Sequence, residues 1–124
     1  MAKILIIDDE AHVRAALGRV LRSDGHEVLE ASNGAEATAI VEGEEVNLVF
    51  TDIFMPEMDG IEFLLWVVER FPDRAVVAMS GGGAMPMDSA LGDARALGAV
   101  DIVEKPLDPA RVRQVVREAL GSDA

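Results

Sequence analysis

The stretch that decides the fold lies near the N-terminus and reads Ile4-Leu5-Ile6-Ile7-Asp8-Asp9. Its apolar residues are mostly β-branched, and the run ends abruptly at two acids. A continuous apolar run of this length is typical of a strand covered on both faces, as occurs in parallel sheets. The stretch therefore predicts a buried strand with carboxylates at its C-terminal end.

The same alternation of signals continues along the chain. Further short apolar strands are predicted over residues 27–31, 47–51, 75–79 and 100–103. Helical spacing of apolar residues is found over 10–23, after Asn33-Gly34, and over 59–71, 87–97 and 109–121. Five strands alternating with five helices predict an α/β fold, a doubly wound five-stranded parallel sheet with helices on both faces.

The composition limits the class of protein. The 124 residues leave room for one domain with one hydrophobic core, and 50% of them are hydrophobic. The net charge of −12 argues against nucleic-acid and anionic-membrane surfaces. The chain has no Cys, and no apolar run approaches the roughly 18 residues of a membrane span. The N-terminus becomes acidic too soon for a signal peptide, so we expect a cytoplasmic protein without nucleic-acid or membrane partners.

Four of the five predicted strands end in a residue that can handle a phosphoryl group. These residues are Asp8 and Asp9, Asp52, Ser80 and Lys105. The carboxyl ends of parallel strands share one edge of the sheet, where ligands bind. Carboxylates placed together repel each other, and Mg²⁺, which prefers oxygen ligands, relieves that repulsion. The sequence thus predicts a magnesium-dependent phosphoryl site.

The roles divide on chemical grounds. The Asp52 carboxylate is the candidate nucleophile, because a carboxylate can form an acyl phosphate. Mg²⁺ and the Lys105 ammonium would neutralise charge on the phosphoryl oxygens. The Ser80 hydroxyl offers a donor to one of those oxygens.

Taken one at a time, these residues have ordinary structural explanations. Asp8 and Asp9 are suitable helix caps, since acids favour the positive end of the helix dipole. Asp52 fits a turn, Ser80 a glycine-rich loop, and Lys105 a solvated surface. The combination at one edge of one sheet favours the functional interpretation.

Four motifs in this order resemble a known family across essentially the whole chain. They are Ile6-Ile7-Asp8-Asp9-Glu10, Thr51-Asp52-Ile53-Phe54-Met55-Pro56 with Asp59-Gly60, Ser80-Gly81, and Lys105-Pro106. The family is the receiver domains of bacterial two-component response regulators. The resemblance implies a flavodoxin-like sheet of order 2-1-3-4-5 and a cis Lys105-Pro106 peptide bond.

The resemblance also implies a role for each site residue. Asp52 is the phosphoacceptor, Ser80 the switch hydroxyl and Lys105 the phosphate-binding lysine. Mg²⁺ is held by Asp8, Asp9, Asp52 and the backbone carbonyl of Phe54. The implied phosphodonor is a histidine kinase or a phosphotransfer protein. Because little chain follows Gly121, we expect residues 1–124 to be a single receiver domain with no output domain.

Three features depart from the family pattern. Ile102 stands where the family usually has Tyr or Phe three residues before its lysine, and Leu107 replaces the usual aromatic after Lys-Pro. The segment from Ser80 to Lys105 is longer than usual and begins with the loop 81–83, which is all glycine. We therefore expect the structural response to phosphorylation to differ from the usual one in the family, and we expect it to include an ordering of this loop.

Two helix surfaces are candidates for partner contacts. In the third predicted helix the expected inward stripe is Ile61, Leu64, Leu65 and Val68, which leaves Phe63, Trp66 and Val67 elsewhere on the helix. In the first, Ala11, Ala15 and Gly18 form a small-residue strip on the side by which receivers dock their phosphodonors. In the second, the expected apolar side is Ala35, Ala39 and Ile40.

The function predicted from the sequence is a signalling switch and not an enzyme. Asp52 takes a phosphoryl group, and the added charge changes a surface that binds a downstream protein. The alternative is a Mg²⁺-dependent phosphatase or phosphotransferase that works through an aspartyl phosphate. Such enzymes often place a second acid two residues after the nucleophile, where this chain has Phe54. A flavin binder is disfavoured because the acidic edge would repel a flavin phosphate.

Overall fold

The structure is a computed structural model that describes residues 2–53, 60–81 and 98–121, with the backbone alone for residues 60, 61 and 81. Within these ranges the strands are β1 (Lys3–Ile7), β2 (Glu27–Ala31), β3 (Leu48–Asp52), β4 (Ala75–Gly81) and β5 (Asp101–Lys105). The helices are α1 (Ala11–Ser23), α2 (Gly34–Gly43), α3 (Gly60–Arg70) and α4 (Pro109–Ala119). Within the described ranges, no helix has the length and hydropathy needed to cross a bilayer.

Some predictions fall outside the described residues. They are the helix over 87–97, the N-cap Asp59, the metal-ligand carbonyl of Phe54, the inward side chain of Ile61 and the ordering of the glycine loop, whose Gly82 and Gly83 are not described.

The described strands form one parallel sheet in the order β2-β1-β3-β4-β5, which confirms the predicted topology. The interior strand β1 pairs on both sides, so Ile7 lies opposite both Ala31 and Thr51. The chain order reverses between β1 and β3, and the crevice at such a reversal is where doubly wound sheets bind ligands.

Two hydrophobic clusters cover the two faces of the sheet. Because side chains alternate along a strand, Leu5 and Ile7 enter one cluster while Ile4 and Ile6 enter the other. Helices α2 and α3 pack on the Leu5 face, and α1 and α4 pack on the Ile4 face. This arrangement explains the four consecutive apolar residues of β1, since neither face reaches water.

The inward face of α3 differs from the prediction. Phe63 and Val67 are fully buried, although the spacing placed them away from the core, while Leu65 is 46% exposed instead of inward. Apolar residues cover all of this helix except the side of Glu62, Glu69 and Arg70, and such a wide face leaves open which of its edges is buried. The position of α3 on the sheet makes that selection.

Helices α1 and α2 also depart in detail from the prediction. In α2 the buried residues include Ala37 and Val41, while Ala35 and Ala39 are exposed. Gly18 in α1 is buried; a Cβ added there would meet Arg22 and lie 3.8 Å from Val28. The small-residue strip therefore does not extend to Gly18 as an open surface, although Ala11 and Ala15 are exposed.

Side-chain caps begin two helices. Asp108 caps α4 by accepting a hydrogen bond from the Ala110 N–H, and Pro109 follows it as predicted. Asn33 caps α2 by accepting from the Glu36 N–H, and Glu36 Oε1 accepts in return from the N–H and the hydroxyl of Ser32, at 2.7 and 2.8 Å.

Candidate functional site

The strands bring the predicted site residues to the carboxyl edge of the sheet. Asp8 directly follows β1, Asp52 ends β3, Ser80 lies near the end of β4, and Lys105 ends β5. Asp8 is fully buried, and Asp52 and Ser80 are 5% and 6% exposed. Buried polar groups at one edge of a sheet need partners, and Lys105 is such a partner for both Asp8 and Asp52.

Lys105 connects the two buried acids. Its Nζ lies 2.6 Å from Asp8 Oδ2 and 2.9 Å from Asp52 Oδ2, with Glu10 Oε1 further away at 3.6 Å. Burial alone would lower the pKa of Lys105, but the hydrogen bonds and charges of Asp8 and Asp52 together outweigh it and raise the pKa. The lysine is therefore cationic at neutral pH and neutralises part of the acidic charge.

The Asp8 residue is held by contacts to three parts of the chain. Its N–H donates to the Ala31 carbonyl on β2 at 3.1 Å, and its Oδ1 accepts from the Glu10 N–H at 2.9 Å. Its carbonyl accepts from Arg14 Nη1 at 2.6 Å. These bonds fix the orientation of the loop between β1 and α1, and with it the acids that follow.

The backbone around Asp52 is fixed by continued sheet pairing. Asp52 lies opposite Met79 in the register, and the Ile53 N–H donates to the Met79 carbonyl at 3.2 Å. The buried Thr51 hydroxyl donates to the Asp52 carbonyl at 3.1 Å. The Asp52 carboxylate is thus carried on rigid backbone, as a reacting group requires.

A cluster of acids that could hold a metal ion lies on the β1–α1 loop. Carboxylate oxygens of Asp8, Asp9 and Glu10 lie within 4.8 Å of one another, with Asp8 buried and the other two exposed. Such hard oxygen donors, partly open to solvent, fit Mg²⁺, an ion that keeps several waters. Glu10 is not among the ligands predicted from the sequence, although its place beside the two aspartates was the available signal.

The region beside Lys105 contains an open cavity of about 500 Å³. It lies between α1 and the connection from β5 to α4, and it is lined by Glu10, His12, Val13, Ala16, Lys105, Pro106 and Leu107. The Lys105-Pro106 peptide bond is cis, as predicted. Ile102, which departs from the aromatic usual in the resembled family, packs half-buried against the Leu5-face cluster.

The fold and the site together define a class of protein. It is a doubly wound α/β domain with an acid–lysine cluster at the switch point of a parallel sheet. A family model described as the response regulator receiver domain matches residues 4–117. The chain belongs to this family, the receiver domains of two-component response regulators, and this membership does not favour a small-molecule phosphatase.

Relatives along the full length support this assignment. The sporulation initiation phosphotransferase F of Bacillus subtilis is 34% identical over 118 residues, covering 95% of this chain and 93% of that protein. The chemotaxis protein CheY of Listeria monocytogenes is 34% identical over 120 residues, covering 96% and 98%. Other relatives are longer, and the chain spans 27% of their length.

The solved structures show the same similarity. The receiver domain of NtrX from Brucella abortus superposes with a TM-score of 0.88 at 31% identity, covering 97% of this chain and 99% of that one. The similarity therefore extends over the whole sheet and the helices on both of its faces.

Proposed function

We propose that Asp52 accepts a phosphoryl group from a phosphohistidine of a histidine kinase or a phosphotransfer protein. The observation that carries this proposal is the contact of 2.9 Å between Asp52 Oδ2 and Lys105 Nζ at the switch point of the sheet. A carboxylate beside a fixed ammonium is suited to attack phosphorus, because the ammonium attracts the phosphoryl oxygens.

The transfer exchanges one bond for another. An Oδ atom of Asp52 forms a bond to phosphorus while the phosphorus–nitrogen bond of the phosphohistidine breaks. The electron pair of that bond stays with the imidazole, which leaves as the neutral ring because its other nitrogen carries a proton. The product is an acyl phosphate on Asp52.

The chain's own groups then bind the phosphoryl oxygens. Lys105 exchanges its contact with the Asp52 carboxylate for one with a phosphoryl oxygen. Ser80, on the strand adjacent to β3, donates its hydroxyl to another oxygen and so couples β4 to the phosphorylated state. Position 54 is Phe and carries no acid, so the chain is proposed as a switch and not as a turnover enzyme.

Mg²⁺ is the proposed cofactor. Asp8, Asp9 and Asp52 would hold it with the Phe54 carbonyl, and Glu10 lies close enough to Asp8 and Asp9 to contribute. When bound, the ion would neutralise charge on the phosphoryl oxygens during transfer.

The phosphodonor is proposed to approach along the exposed side of α1. Ala11 and Ala15 are exposed there, and the cavity beside Lys105 opens between α1 and the loop at Leu107. Small residues on the helix let the backbone of a partner helix come close.

The test is phosphorylation of the purified chain by a small phosphodonor, such as acetyl phosphate, with Mg²⁺, followed by intact mass measurement. A gain of one phosphoryl group is expected for the wild type and for Asp73→Asn, an acid whose side chain is 80% exposed. Asp52→Asn should show no gain. A gain that persists in Asp52→Asn would place the acceptor elsewhere, and repeated hydrolysis of phosphate esters would favour the enzyme.

A further inference from the structure

Arg14 joins the acidic loop to the rest of the fold. It lies in the first turn of α1, where its N–H donates to the Glu10 carbonyl at 3.3 Å. Its side chain is 19% exposed, with Nη1 at 2.6 Å from the Asp8 carbonyl and Nε at 3.2 Å from Glu30 Oε1. One guanidinium therefore contacts the β1–α1 loop and strand β2 at the same time.

The Glu30 carboxylate is itself held between two arginines. Its Oε1 contacts Arg14, and its Oε2 contacts Arg22 Nη2 at 3.3 Å. Arg14 and Arg22 are separated by about two turns of α1, so their side chains converge on this one carboxylate from either side. This pairing restricts the guanidinium of Arg14 and directs Nη1 towards the Asp8 carbonyl.

The Asp8 carbonyl belongs to the peptide plane that leads into Asp9. Fixing that oxygen fixes the plane, and with it the directions in which Asp9 and Glu10 leave the strand. The three carboxylates converge within 4.8 Å, an arrangement that mutual repulsion opposes. A contact that holds the loop against this repulsion favours a cation site.

We propose that Arg14 is a positioning residue, which holds the Asp8–Asp9 peptide so that the carboxylates converge on a divalent cation. The proposal rests on the cation site put forward above, and it adds a residue that donates no ligand. As a bare charge, Arg14 would repel the cation. Removing Arg14 should therefore tighten cation binding if its charge repulsion is the larger effect. It should weaken cation binding if its positioning of the Asp8–Asp9 peptide is the larger effect.

The test is isothermal titration of unphosphorylated protein with MgCl₂. Arg14→Gln removes both the charge and the planar set of guanidinium N–H donors. Arg14→Lys keeps the charge but lacks that planar set of donors. Both should weaken Mg²⁺ binding by about tenfold, the scale observed when groups that orient metal ligands are lost. Arg19→Gln is the matched control, since it removes the same charge from an exposed position on the same helix; its Mg²⁺ affinity should stay close to that of wild type.

The outcomes are distinct. Unchanged or tighter binding in Arg14→Gln overturns the positioning role, while absence of Mg²⁺ binding by the wild type overturns the cation site with it. If Arg14→Gln does not fold, amide exchange at Glu10 in Arg14→Lys decides, because that N–H donates to Asp8 Oδ1. Faster exchange at Glu10, with an unchanged unfolding midpoint, is expected; unchanged exchange overturns the proposal.

Discussion

Lys105 and Asp52 are 53 residues apart in the chain, yet Lys105 Nζ donates to Asp52 Oδ2 across 2.9 Å. The same ammonium lies 2.6 Å from Asp8 Oδ2, so one cation serves two buried carboxylates. The acids are thus partly neutralised before any ligand arrives. The lysine stabilises the free site and also stands where an incoming phosphoryl group would need it.

Replacing Lys105 should destabilise the fold. In Lys105→Met the carboxylates of Asp8 and Asp52 stay buried without this cation, and the free energy of unfolding should fall by about 3 kcal/mol. Urea unfolding at pH 7 without Mg²⁺ measures this change. Lys3→Met is the control, because Lys3 pairs with Glu44 at the exposed opposite end of β1 and should cost less than about 1 kcal/mol.

The effect of removing the Lys105 charge can be separated from the effect of losing its packing. Adding Asp52→Asn to Lys105→Met removes one of the two buried charges that have lost the lysine, so the double variant should be more stable than Lys105→Met alone. Strictly additive losses would contradict the account given for the buried acids.

Gly98 is expected to be intolerant of a side chain. Its φ is +120°, and a Cβ there would lie 2.7 Å from Val68 Cγ2 on α3. Gly98→Ala should lower the free energy of unfolding by about 2 kcal/mol, through backbone strain and this clash. Thermal or urea unfolding provides the measurement.

Gly43 offers a matched control for Gly98. A Cβ added at Gly43 would meet nothing within 4 Å, so Gly43→Ala should leave stability within about 0.5 kcal/mol of wild type or raise it. Equal effects of the two substitutions would contradict the steric argument.

The stability that the Glu36 side chain contributes at the start of α2 should depend on pH. The Ser32 N–H and hydroxyl hold the pKa of Glu36 below its ordinary value of 4.5. A carboxyl whose folded-state pKa is lowered contributes stability that is present above 4.5 and lost as pH falls through the folded-state pKa. Glu36→Gln should therefore be less stable than wild type at pH 7, and the difference should vanish in acid.

Unfolding curves of the wild type and of Glu36→Gln, measured from pH 7 to pH 3, test this pH dependence. Glu62→Gln, in the exposed first turn of α3, serves as a control for the loss of one acidic charge. A difference between wild type and Glu36→Gln that stays constant with pH would contradict the role of the ionised carboxylate.

Gly18→Ala should stabilise α1. Alanine in a helix interior is favoured over glycine by about 1 kcal/mol, and the new Cβ would meet mainly Arg22 Nη1, the far end of a flexible side chain. Displacing Arg22 weakens its exposed pair with Glu30, so a net gain of about 0.5 kcal/mol is expected in urea unfolding. A loss of stability would show that Arg22 cannot move aside.

Much of the architecture could be predicted because the strands are covered on both faces. A strand such as β1 must be apolar throughout, and the first polar residue marks its end. That rule located Asp8, Asp52, Ser80 and Lys105 at one edge, and the structure brings Asp8, Asp52 and Lys105 into contact. The strand order came with the family resemblance and is confirmed by the sheet.

The helix faces could not be predicted in the same way. In α3 the apolar face is wide and Phe63 and Leu65 lie at its two edges, so periodicity did not distinguish Phe63, which is buried, from Leu65, which is exposed. The choice depends on where the sheet lies, which is a property of the assembled chain.

By itself, the sequence determined the class of fold and the residue types at the switch point, because local hydrophobic runs and the residues that end them are local properties. The tertiary structure alone decided the contacts. It joined Lys105 to Asp8 and Asp52, added Glu10 to the acidic cluster, and directed Arg14 to the Asp8 carbonyl. The distance between two side chains depends on how every strand between them is packed, and no local pattern contains that information.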